Sequence, residues 1–280
     1  MVSVLRHSSS KKNNRPRLSA ISRIHYGKMA LRGVIFLGAC LAYLLDRLRI
    51  GESADNWNHG ILIAAWLLLM VEMILRLFPS RTESMGCQRQ FACNYRPTGY
   101  PPSRPKNQTR AVLAVIAAWL GLNGVIGILY FTHIIDAGIL VLISLAYSVC
   151  DMICILLFCP FQVWFLKNKC CTTCRIYNWD FAMMFTPMVF IPHLYSWSLL
   201  GLGLVLLVRW EITHRLHPER FYECSNSSLN CTNCQEQLCT QKKHIRRLRI
   251  RVMAELKEEL RDLKQDLGEL KENIKKKTGG

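Results

Sequence analysis

FAMMFTPMVFIPHLYSWSLLGLGLVLLVR, Phe181 to Arg209, runs for 29 residues with no charged side chain before its last position. An apolar helix needs about 20 residues to cross a bilayer, so two separate crossings need about 40. The stretch is too long for one ordinary span and too short for two. Pro187 and Pro192 interrupt its first half, where each removes a backbone donor and clashes with the preceding turn. It reads either as one long kinked span or as a re-entrant hairpin followed by a span. The choice sets the side on which everything after Arg209 lies.

Four further runs have the same character. The first extends from Met29 to Leu45 and is closed by Asp46 and Arg47. The second, Trp57 to Phe78, carries Glu72 and Arg76 in its last turns. The third, Ala111 to Phe131, has no charge at all, and the fourth starts near Gly138, contains Asp151 and meets Pro160 at its end. The chain has 36 Lys+Arg against 19 Asp+Glu, a net charge of +17, yet 51% of its residues are hydrophobic. The apolar residues are gathered into runs and the charges lie between them, which excludes a disordered chain and an ordinary soluble domain. The expected fold is all-α: a polytopic helical membrane protein with four to five spans, a possible re-entrant segment, a Cys-rich soluble module and a C-terminal coiled-coil helix. The expected organisation is a basic disordered N-terminus (1–28) and a transmembrane bundle (29–210) with spans near 29–47, 57–78, 111–131, 138–159 and 181–209. A Cys-rich segment (211–241) and an amphipathic helix (242–277) follow. The first run does not read as a signal peptide, because its basic region is too long and no small-residue cleavage site follows.

Charge sets the orientation. Arg6, Lys11, Lys12, Arg15, Arg17, Arg23, Lys28 and Arg32 precede or enter the first run with no acid among them, which places the N-terminus in the cytoplasm. The loop from Pro79 to Arg110 has six bases and one acid and is also expected inside, as is the loop with Lys167, Lys169 and Arg175. Five spans would then put the basic tail outside; a stretch 181–209 that turns back puts it inside. The cysteines favour the second.

There are 13 cysteines. Cys40, Cys150, Cys154 and Cys159, in or beside spans, read as small apolar packing residues. Cys87 and Cys93 carry little signal. The other seven form two knots: Cys170, Cys171 and Cys174 after the fourth span, and Cys224, Cys231, Cys234 and Cys239 in the tail. Cys171–Cys174 and Cys231–Cys234 are both CxxC, the half-site spacing of tetrathiolate zinc and of iron–sulfur clusters. A shared metal requires both knots on one reducing side. Zinc is the expected cofactor, because no flavin, haem or nucleotide motif accompanies the thiols, and an iron–sulfur cluster is the alternative. An outside tail would instead allow two disulfides and expose the sequons at Asn226 and Asn230.

Within the spans, Glu72 has Arg76 four residues on and can pair with it along one helix face. Asp151 has no base on its own helix, and Asn123 in the third run is a possible partner across the bundle. In the tail, Ile245, Leu248, Val252, Leu256, Leu260, Leu263, Leu267, Leu270 and Ile274 step by three and four with one stutter, a coiled-coil seam on an otherwise charged helix. Homo-oligomerisation or partner docking is expected there, and contact of the basic segments with anionic lipid. Neither basic segment carries interleaved aromatics, so nucleic acid is not expected. No Walker A, HExxH or GxSxG motif is present. Three functions follow: an oligomeric scaffold or docking protein with a thiolate–zinc site, a membrane redox protein, and a small transporter using the intramembrane carboxylates.

Overall fold

The computed structural model describes residues 19–47, 54–103, 108–168, 170–234, 236 and 261, with only the backbone described at 54–59 and 61. The chain divides into two compact units, Met1–Gln237 and Leu238–Gly280. Of the second, only Arg261 is described, and it is helical. The seam residues Leu256, Leu260, Leu263, Leu267, Leu270 and Ile274, and Cys239, lie outside the described residues.

Five long helices dominate the first unit: α1 Ala20–Arg47, α2 Ala54–Arg76, α3 Gln108–Phe131, α4 Ala137–Leu156 and α5 Leu194–Leu216. Among the described residues there is no strand, only one isolated antiparallel bridge between Pro97 and Asn226. Helices α1, α3, α4 and α5 are each long and apolar enough to cross a membrane. Their outer faces expose Val34, Leu37, Leu120, Val125, Ile128, Val205 and Val208. A water-soluble monomer rarely tolerates so continuous an apolar surface, and these features mark an integral membrane protein.

Helix α1 starts nine residues before the expected span. Ser19 caps it, its hydroxyl accepting from Ser22 N at 3.1 Å. Arg23 and Lys28 therefore stand on a helix rather than in the expected disordered N-terminus. Helix α4 is the most enclosed of the four candidate spans and packs along α1, which also packs on α2. The core between them is built from Leu69, Met73, Leu145, Phe181, Met184, Phe185, Met188, Leu199 and Leu206.

The stretch that opened the sequence reading resolves into two passages. Asp180–Met184 is a short α-helix and Thr186–Phe190 a 3₁₀ turn with Pro187 near its start. This broken segment enters where Asp180 meets Arg76, near the end of α2. It leaves where Phe190 packs on Phe131, the last residue of α3, at a ring separation of 5.7 Å. A regular helix of fourteen residues, Asp180 to His193, rises only about 21 Å; the break and the extended residues after Phe190 stretch the reach. Irregular backbone at membrane depth persists only where protein covers it, and Phe181, Met184, Phe185 and Met188 are all buried. Gly203 of α5 makes room: a Cβ there would lie 3.2 Å from the Phe181 carbonyl carbon.

Helix α5 then returns. It starts at the end where Tyr195 packs on Trp66 and finishes where Trp210 packs on Phe221. Five helices and the broken segment run alternately between the two ends of the bundle, which brings the start of α1 to Glu236. Ser19 and Ser22 each donate a hydroxyl hydrogen bond to the Glu236 carbonyl at 3.0 Å. At the opposite end Asp136 caps α4, accepting from Ile139 N at 2.9 Å, and binds Tyr43 and Arg47 at the end of α1.

Candidate functional site

The end where Ser19 and Ser22 meet Glu236 holds most of the polar contacts described below. Its inner layer is a buried charge network. Arg32 of α1 is 3% exposed. Its guanidinium pairs with Glu72 of α2, lies 3.3 Å from Asp151 of α4 and donates to the Ser148 carbonyl at 3.0 Å. Lys28, one turn earlier, lies 2.7 Å from Glu83 and 3.7 Å from Glu72. Arg76 pairs with Asp180 and stacks 4.6 Å from the Phe181 ring centre. The expected Glu72–Arg76 pair along α2 therefore does not form: each finds a partner on another element. Asp151 likewise takes Arg32 rather than Asn123. The Asn123 amide donates to the Trp119 carbonyl on its own helix at 2.9 Å, and its buried Oδ1 has no hydrogen-bond partner among the described residues. Three cations and four carboxylates tie α1, α2, α4 and the broken segment at one level.

Glu83 lies in the loop after α2. Burial raises its carboxyl, but Arg76 and Lys28 lower it more, and it sits below the ordinary carboxylate value. A second acid, Glu236, reaches in from the tail. Its carboxylate accepts from Met85 N at 2.5 Å and from Ser84 Oγ at 3.2 Å. Burial pushes this group up to about 7 despite those donors. Thr98 N donates to the Ser225 carbonyl at 3.2 Å, and Ser227 N to the Arg96 carbonyl at 2.9 Å. The loop after α2, the start of α1 and the segment 221–236 are thus one hydrogen-bonded cap.

Arg89 centres that cap. It is 1% exposed, and its guanidinium donates to the carbonyls of Thr172 at 2.7 Å and Cys174 at 2.5 Å. It lies 4.8 Å from the Trp210 ring centre and 5.2 Å from that of Phe221. Burial pulls it down to about 10, so it stays charged at neutral pH. No carboxylate pairs with it among the described residues. Trp210 is fully enclosed, and Trp179 donates to Glu211 at 2.8 Å.

The cysteines fall into three places. Cys171–Thr173 is a 3₁₀ turn closed by Cys174 N donating to the Cys171 carbonyl at 3.0 Å. Cys231–Asn233 is the same turn, closed by Cys234 N on the Cys231 carbonyl at 3.3 Å. In both, the fourth cysteine is extended, at φ −68°, ψ 128° for Cys174 and φ −73°, ψ 120° for Cys234. A polar cavity of about 500 Å³ has Thr172, Cys93, Cys234 and Glu236 on its wall. Cys170 bonds Thr172 Oγ1 at 3.1 Å and is near enough to Glu236 to help raise it. Cys224 stands elsewhere, accepting from Ser103 N at 3.2 Å in the Pro-rich loop.

A smaller cavity, about 130 Å³, lies deeper, against α4. Cys150, Asp151, Cys154, Cys159, Cys171 and Cys174 line it, with Met183 and Met184. A single π turn, Phe161–Leu166, closes beside it and ends on Lys167 in the left-handed region at φ 48°. Such turns concentrate at functional sites. Here it aims Gln162, whose Oε1 accepts from Cys171 Sγ at 3.3 Å. Burial pushes the Cys174 thiol up to about 12. The reading of Cys150, Cys154 and Cys159 as packing residues missed this gathering; the signal was the spacing of Cys154 and Cys159 on either side of a helix end marked by Pro160. Among the described residues no three His, Cys, Asp or Glu side chains stand in ready ligand geometry.

A scan against protein-family models finds no match, and neither known proteins nor solved structures match the chain.

Proposed function

We propose that this chain is an integral membrane scaffold whose thiolate-bearing cap holds a structural metal, zinc by its chemistry, and presents the C-terminal helix for self-association or partner docking. The observation that carries this reading is that the two CxxC sequences fold as the same 3₁₀ turn in one cap. The CxxC spacing is the half-site spacing of tetrahedral zinc. The cap holds the start of α1, with Arg23 and Lys28 on its first turns, and bases there are the kind of group that anionic lipid attracts. By the positive-inside rule this face is cytoplasmic, a reducing compartment that keeps thiols available.

The Arg pairing of Glu72 and Asp151 favours a structural role for both over ion transport. One feature favours the redox alternative: Cys154 and Cys159 are hydrogen-bonded to each other beside a CxxC turn.

The test is metal analysis of detergent-purified full-length protein, together with its mass by light scattering. Close to one zinc per chain and an oligomer supports the reading. A protein with no bound metal, or one carrying iron and acid-labile sulfide, refutes it.

A further inference from the structure

Two pairs of thiols from separate parts of the chain meet below α4. Cys154 stands on its last turn. The helix then unwinds: Leu157 N and Phe158 N both donate to the Ile153 carbonyl, at 2.8 and 3.0 Å. Pro160 cannot extend it. The chain doubles back, and Cys159 comes to hydrogen-bond Cys154. The second pair, Cys171 and Cys174, arrives on its 3₁₀ turn. That turn is fixed from outside by Arg89 on two of its carbonyls and by Gln162 on the Cys171 thiol. All four thiols border the same cavity of about 130 Å³, and Cys174 is within electrostatic reach of Cys159 and Cys171.

We infer that Cys154, Cys159, Cys171 and Cys174 form a four-thiolate site for one divalent cation of the zinc class. The spacing is C-x4-C-x11-C-x2-C, two short pairs on two turns. Zinc takes four thiolates at about 2.3 Å in a tetrahedron; the four thiols border one cavity but are not in ligand geometry as they stand, so binding requires them to turn inward about their Cα–Cβ bonds. Binding replaces four S–H protons by one cation, and the protons leave to solvent.

Charge supplies the second argument. Four thiolates and one divalent cation carry a net charge of −2. Arg89, fully buried beside Cys174, has no carboxylate partner among the described residues. A buried cation without a counter-charge is costly. An anionic metal–thiolate centre at the turn that Arg89 already grips provides one. The carboxylates on the cavity wall are not needed for this, because Asp151 and Asp180 are matched by Arg32 and Arg76. Of the tail pair, Cys234 lines the other cavity. The first CxxC therefore finds its partners at the end of α4 and just beyond it, not in the tail.

This assignment rests on the reading that the protein holds a thiolate-bound metal, and the experiment separates the two. Zinc is measured in the purified wild type, in a Cys154→Ser plus Cys159→Ser variant and in a Cys231→Ser plus Cys234→Ser variant. The inference expects about one zinc per chain in the wild type, near zero in the first variant and no change in the second. A metal-free wild type refutes the broader reading. Metal lost with the tail pair and kept without Cys154 and Cys159 overturns the assignment alone. If the first variant does not fold, alkylation of the wild type decides. Mass spectrometry should find Cys154, Cys159, Cys171 and Cys174 modified by N-ethylmaleimide only after a chelator is added, while Cys231 reacts before it. Equal reaction with and without chelator, or a Cys154–Cys159 disulfide in protein prepared under reducing conditions, overturns the site.

Discussion

Replacing Arg32 by Met removes the one guanidinium that joins three helices while nearly keeping the volume of the side chain. The side chain of Arg32 is 2% exposed, and that of Asp151 15%. The two carboxylates it serves are not equally dependent on it. Glu72 retains Lys28 at 3.7 Å. Asp151 retains no cation in direct contact among the described residues. Breaking a buried pair from one side costs about 3–5 kcal/mol, because the remaining charge stays buried and uncompensated. The expected loss is therefore that of one such pair, about 3–5 kcal/mol, a factor of roughly 10²–10³·⁵ in the unfolding equilibrium. The assay is denaturant titration of the purified protein in detergent, followed by tryptophan fluorescence. Adding Asp151→Asn to Arg32→Met should recover part of the loss, because it removes the stranded charge. The cycle should show a coupling of about 0.5–3 kcal/mol. An Arg32→Met variant within about 0.5 kcal/mol of the wild type, or strict additivity with Asp151→Asn, refutes the reasoning.

Other expectations follow from the packing and the cap. Gly203→Val should destabilise by about 1–3 kcal/mol, because its side chain meets the backbone of Phe181. Gly201→Ala, with nothing within 4 Å, should gain about 0.5–1 kcal/mol of helix stability; thermal unfolding of the pair checks the sign difference. Arg76 and Lys28 hold Glu83 below the ordinary carboxylate value of 4.5, so its contribution is complete above that pH and fades as pH falls through the lower folded value. Glu83→Gln should accordingly flatten the stability–pH curve below 4.5, measured by the same titration. Glu236→Ala strands Met85 N and Ser84 Oγ, at about 1–3 kcal/mol, and should raise hydrogen exchange at the start of α1 and at Met85–Gln88 while leaving the middle of α4 protected.

The apolar runs were legible because hydropathy reports the solvent directly: four of the long helices are long and apolar enough to cross a membrane, and the run 181–209 holds both the broken segment and most of α5. The start of α1 was not, because Arg23, Lys28 and Arg32 read as a flanking basic tail until partners in other helices account for them. Glu72 and Asp151 stood out as buried charges, but their partner could not be read from spacing along α2 or α4: Arg32 lies 40 residues from one and 119 from the other. Length argued against two passages in 181–209, and the structure corrects this: the proline-broken segment and α5 run in opposite directions, and burial of Phe181, Met184, Phe185 and Met188 is what permits the irregular backbone. The two CxxC turns were plain in the sequence. Cys154 and Cys159 were not, since a cysteine within an apolar helix is usually a packing residue, and only the unwinding at Leu157 turns the pair toward the loop.

The central claim is that five helices and the broken segment run alternately between the two ends of the bundle, so that the cap carries the start of α1 and Glu236 at one face. Cys93 and Cys231 are both exposed in that cap. Labelling them with a membrane-impermeant maleimide, each as the single reporter in a background with the other replaced by Ser, tests the claim most directly. The account predicts no labelling of either in intact cells and labelling of both after permeabilisation. Labelling of Cys231 from outside while Cys93 remains protected would contradict it.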